Sequence, residues 1–161
     1  MKFLGIIVLA GAVLFGTASP SLARLIAIPG YQELLDQSDL VVVATPIAKT
    51  TDTSEQSFLP NIFRQDKSGA QTKIESIGVE TVFKTDAVLK GDATVKQFVL
   101  HHYREAKSPA MQINGPSLVS FEPSSANSYL LFLVRESDGR FAPTGGQTDP
   151  GIKAVDALPR E

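Results

Sequence analysis

The chain has 161 residues, no cysteine and no tryptophan, and carries 15 Lys and Arg against 17 Asp and Glu. A slightly acidic balance argues against nucleic-acid binding, which depends on neutralising phosphates with basic side chains, and leaves no polybasic segment for an anionic membrane surface. Without cysteine there are no disulfides and no lipid-bearing cysteine, so the chain must hold itself together by packing alone.

Residues 1–23 read as a secretory signal peptide. Lys2 gives a positive start, Phe3 to Phe15 is an apolar run too short to span a bilayer comfortably, and Ser21-Leu22-Ala23 has the small residues a signal peptidase reads. Cleavage is predicted after Ala23, placing the mature protein in the periplasm or outside the cell with no stable membrane anchor. Removing 23 of the 161 residues leaves 138, with 14 basic against 17 acidic side chains. That length suits one domain, 24–161, with a core of its own.

A short helix is expected over Tyr31–Gln37, with Pro29 or Gly30 starting it and Tyr31, Leu34 and Leu35 making one apolar stripe. Two turns cannot stand alone, so the helix is expected to close one end of a sheet. Leu40-Val41-Val42-Val43-Ala44 is continuous rather than alternating, as in a strand covered on both faces, and Pro46 limits it.

Residues 50–76 read as a long loop, rich in Thr, Ser, Asp, Gln and Lys, around a small apolar group of Phe58, Leu59, Ile62 and Phe63. That group reads either as a satellite cluster under the loop or as a contact for a partner.

Gly78 to Leu100 is a hairpin signal: two runs rich in β-branched and aromatic residues flank the turn Lys90-Gly91-Asp92-Ala93-Thr94. The alternation of Val79, Thr81 and Phe83 slips at Val88-Leu89, which predicts a β-bulge near Asp86 and Ala87. Loops follow over 105–116, then a short strand candidate at Ser117–Phe121 and a core strand in Tyr129-Leu130-Leu131-Phe132-Leu133-Val134. A tight turn at Ser137-Asp138-Gly139, a return strand at Arg140-Phe141-Ala142, a last strand at Ile152–Val155 and a frayed tail complete the chain. Five to seven short strands and one short helix indicate a mainly β protein, an antiparallel sandwich or a small closed barrel.

Ser38-Asp39-Leu40-Val41-Val42-Val43-Ala44-Thr45, the run from Thr81 to Asp92, Tyr129-Leu130-Leu131-Phe132-Leu133 and Thr144-Gly145-Gly146-Gln147 together resemble a broad set of uncharacterised secreted bacterial proteins. Those have an OB-like barrel similar to the N-terminal domain of tissue inhibitors of metalloproteinases and to netrin modules. The resemblance implies a small antiparallel OB-like β-barrel. It carries over no inhibitory residue, because those inhibitors chelate the protease zinc with a mature N-terminal cysteine and this chain has none.

For chemistry the candidates are few. His101 and His102 are the only histidines; neighbours on a strand point to opposite faces and cannot share one metal ion. Asp39, Asp92 and Asp138 suit capping and turns, and nothing pairs two acids across a cleft. No nucleophile elbow, zinc-protease motif, phosphate-binding loop or EF-hand occurs. In Gly145-Gly146-Gln147-Thr148 the glycines permit close approach and Gln147 offers a polar side chain. The expectation is a non-enzymatic binding module without catalytic residue, metal or cofactor, with a protein partner in the cell envelope or outside. Its contact surface is expected at Phe58, Leu59, Ile62, Phe63, Gly145, Gly146 and Gln147. The alternatives are an inhibitor or regulator of an extracytoplasmic protease and, more weakly, a hydrolase using His101 or His102.

Overall fold

In a computed structural model, residues 29–65, 68–107, 118–147 and 151–155 are described; the expected signal peptide, most of the 105–116 loops, Thr148 and the tail lie outside them. The apolar run Leu40–Pro46 forms β1, and both of its faces are used. Leu40, Val42 and Ala44 point into the core, while Val41 turns outward and packs with Leu34 and Phe132.

Those outward residues explain the helix. Tyr31–Gln37 forms α1, capped at its start by Gly30 with no side-chain hydrogen bond. So short a helix is held by docking: Leu34 is fully buried, and Tyr31 lies 5.8 Å from the ring of Phe132. Lys90 Nζ donates to the Leu35 carbonyl at 2.6 Å, satisfying one of the helix's orphan acceptors. The helix therefore lies on the outer face of the barrel and does not close its end. The reason is the continuous apolar run of β1, whose outward residues need cover of their own.

Gln71–Lys90 forms β3 and Gln97–Glu105 forms β4, paired antiparallel from Ser76↔Glu105 to Lys84↔Gln97. Ser128–Arg135 forms β5, Phe141–Pro143 β6 and Ile152–Val155 β7. The sheet runs β1-β3-β4-β6-β5 and returns to β1, because β5 also pairs with β1 from Leu40↔Leu133 to Ala44↔Tyr129. This is a closed five-stranded barrel of OB-like form, sealed by one parallel bridge, Leu100↔Phe141. β7 adds to β5, and the remaining strand, β2 (Thr51–Gln65), pairs with β3 alone.

Curling a sheet into so tight a barrel needs local bends. β3 supplies them: Val43 faces Ala87 and Ala44 faces Thr85, so Asp86 is the extra residue, and Leu89 is skipped in the same way. The bulge lies where the slipped alternation placed it. Inside, Phe83 stacks on Phe98 at 5.5 Å and meets Phe121 edge-on at 5.0 Å, with Leu100, Tyr129, Leu131, Leu133, Phe141 and Ile152 completing the core. Phe121 contributes to this core from an irregular segment, 118–122, rather than from the strand expected at Ser117–Phe121.

The expected loop over 50–76 is a long hairpin instead. β2 and the first part of β3 pair from Thr51↔Glu80 to Gln65↔Gln71. β4 accompanies β3 only as far as Ser76. The remaining five residues of β3 reach roughly 17 Å further at about 3.3 Å per residue. They form an arm with β2 and no other described strand.

Candidate functional site

The two histidines divide as period-two alternation requires. Phe83, Thr81 and Val79 point inward with their β4 partners Phe98, Leu100 and His102; Glu80 and its partner His101 point outward. Both histidines are nevertheless buried, at 4% exposure for His101 and 3% for His102.

His102 sits at the inner mouth of the barrel, edge-on to Phe121 at 5.0 Å. Gln147 Nε2 donates toward its Nδ1 at 3.1 Å, which leaves the proton on Nε2 for the Thr81 hydroxyl at 2.8 Å; Thr81 in turn meets Thr50 at 2.6 Å. Burial first, then the neighbouring His101, pushes His102 down to about 4, so it is a neutral hydrogen-bonding side chain at physiological pH. A cleft of about 350 Å³ opens beside it, lined by Thr50, Val79, Tyr103, Val119 and Phe121 among others.

On the outer face, His101 lies between two carboxylates from distant parts of the chain. Its Nδ1 is 2.9 and 3.0 Å from the two oxygens of Glu136, at the β5–β6 turn. Its Nε2 is 3.1 Å from Glu55 Oε2 on β2, too far off line for a hydrogen bond, so that contact is electrostatic. Tyr103 donates its hydroxyl to Glu55 Oε1 at 2.5 Å. Burial and then the Glu55 carboxylate push the Tyr103 phenol up to about 12. Arg140 pairs with Glu80 at 2.8 Å, with Asp138 at 2.8 Å and with Glu136 at 3.5 Å. Four acids thus surround one arginine and one histidine. The arrangement ties β2, β3, β4 and the β5–β6 turn together. Among the described residues no group of three or more His, Asp or Glu side chains is placed to hold a metal ion.

The expected contact residues do not form one surface. Phe58, on the arm, is 52% exposed, with Lys73 Nζ 5.7 Å above its ring. Leu59 is buried at 6%, Phe63 is half-buried opposite Lys73, and the side chain of Ile62 lies outside the described ones. Gly145 packs against the helix, where an added Cβ would run into Leu34 Cδ2, and Gly146 is an exposed turn residue. Gln147 is turned inward, 9% exposed, and its amide is fully engaged by His102, by Val119 and by both backbone groups of Tyr103. Its amide hydrogens are spent inside the fold. The Glu55–His101–Glu136 arrangement carried no sequence signal, because its members are separated by long stretches of chain and joined only by the barrel's closure.

No family model, curated protein or solved structure matches the chain.

Proposed function

We propose that the protein is a non-enzymatic binding module of the cell envelope or its exterior, and that it meets a protein partner through the β2–β3 arm. The observation that carries this reading is Phe58: a large apolar side chain half exposed on a hairpin that leaves the barrel behind at Ser76. Among the described residues, none of Gln71–Glu75 or their β2 partners belongs to the barrel's core cluster, so the core alone gives no reason for an arm of that length. An exposed aromatic on a projecting element is the kind of anchor that dominates protein interfaces. Beside it runs a groove of about 350 Å³ between the two arm strands and Ala106, lined by Gln56, Ser57, Glu75, Ser76 and Ile77. The serine hydroxyl there, on Ser76, is buried without a hydrogen-bond partner.

The test is a crosslinking capture from envelope extract with the signal-free protein, read by mass spectrometry, comparing the parent with Phe58→Ser. One enriched protein, lost in the variant while thermal stability is retained, is the expected result. The same protein captured equally by both would move the contact surface away from the arm. Enrichment of a protease would select the regulator reading among binding roles.

A further inference from the structure

The base of the arm is attached in an unusual way. Between Asp52↔Val79 and Gln56↔Ile77 the chain takes four steps along β2 against two along β3, so residues 53–55 have no ladder partners. This bulge is fixed by side chains instead. Thr53 Oγ1 donates to the Gly78 carbonyl at 2.9 Å and accepts from Glu55 N–H at 3.1 Å. Glu55 then reaches the barrel through Tyr103 and His101. Gly78 allows this approach, because a Cβ there would stand 2.8 Å from Thr53 Oγ1 and 3.0 Å from Glu55 Cβ.

His101 decides whether that attachment is favourable. A neutral imidazole has one N–H. Glu136 holds Nδ1 with both oxygens and is itself paired with Arg140, so it keeps the proton on Nδ1. With the proton on Nδ1, a neutral ring would bring no positive charge to Glu55 Oε2, 3.1 Å from Nε2. The groups facing the ring are Glu55 from β2, Glu80 from β3, Tyr103 and His102 from β4, and Glu136, Asp138 and Arg140 from the β5–β6 turn. Four acids against one arginine favour a second cation at this position, and His101 is the group that can supply or withdraw it.

We propose that His101 is a proton-operated latch for the arm: charged, it fixes the β2 bulge to the barrel through Glu55, and neutral, it lets Glu55 and the bulge go. The latch is closed when His101 is protonated between the ionised Glu55 and Glu136. It opens when His101 gives up that proton. It concerns how the arm is attached and holds whatever the arm touches.

The experiment follows the His101 ring nitrogens by NMR against pH, together with hydrogen exchange at the amides of Thr53 to Phe58, corrected for intrinsic base catalysis. Protection of those amides is expected to fall about five- to tenfold with the same midpoint as His101, between the worth of an exposed ion pair and that of a buried charge-assisted bond. His101→Gln should be open at every pH. Glu55→Gln keeps the exposed position polar, and its amide donates to the neutral ring, so the bulge should stay protected throughout and the pH dependence disappear. Flat protection across the His101 titration, or the parent's pH dependence persisting in Glu55→Gln, would overturn the latch.

Discussion

Gln147 stands beside Tyr103 as a strand would. Its Oε1 accepts the Tyr103 N–H at 2.6 Å and its Nε2 donates to the Tyr103 carbonyl at 2.6 Å, so one side chain replaces a ladder pair at an open edge of β4. The same amide reaches the Val119 carbonyl at 3.0 Å and His102 at 3.1 Å. Gln147→Ala is expected to leave these groups unpaired in the interior and to cost about 2–4 kcal/mol, at about 1–3 kcal/mol for each unsatisfied group with partial relaxation. Chemical denaturation of the two proteins measures it. Gln147→Glu should be no rescue, since a carboxylate cannot donate to the Tyr103 and Val119 carbonyls.

His102 makes the fold acid-sensitive in a defined window. Its folded value of about 4 lies below the ordinary histidine value of 6.5, so the unfolded chain binds the extra proton first. Stability attributable to this residue is fully present above the unfolded value and is lost as pH falls toward about 4. The difference corresponds to about 3 kcal/mol at 1.36 kcal/mol per unit. Denaturation midpoints measured from neutral pH downward should fall over that range. His102→Gln, which cannot ionise, should remove this component even if it is less stable at neutral pH.

Gly91 turns β3 into β4 with φ at +98°, and a Cβ there would meet the Asp39 carbonyl oxygen at 2.5 Å. Backbone cannot move aside as a side-chain tip can. Gly91→Ala is expected to cost about 1–3 kcal/mol from the strained conformation, with the clash added to it. A thermal melt of the variant checks this, and Gly139→Ala, whose Cβ would meet nothing within 4 Å, is the control for positive φ without the clash.

Lys90 ties the helix to the hairpin end through the Leu35 and Asp36 carbonyls. Lys90→Met keeps the aliphatic stem and removes the donor. It should lower stability by about 1 kcal/mol and speed amide exchange in Tyr31–Gln37 while leaving the barrel strands protected.

What the sequence makes legible is what burial writes into it. The unbroken apolar run at Leu40–Ala44 announces a strand covered twice, and Val88-Leu89 out of phase with Phe83 announces the bulge at Asp86. The arm is illegible for the converse reason. With little on it to bury, Thr51–Phe58 shows no alternation, and a strand held mainly by its backbone ladder reads as loop. Opposite facing of His101 and His102 follows from strand geometry alone. Their partners Glu55, Glu136 and Gln147 do not, because the spacing between them is set by how the barrel closes. Gln147 was legible as a polar residue beside two glycines, but only the fold shows it pointing inward.

Closure by β5 onto β1 has a consequence for how the chain comes to be folded. Leu40 must wait for Leu133, and the last seam, Leu100 to Phe141, joins segments that flank everything between. Pairings this remote in sequence fold slowly, since the entropy of closing the loop is lost before the contacts form. The β3–β4 hairpin, whose partners are near in sequence, can assemble early and offer its apolar face as a template. Until the segment 128–143 arrives, that face is open to solvent. The interval between hairpin and seam is when a chain without cysteine cross-links is most exposed to aggregation.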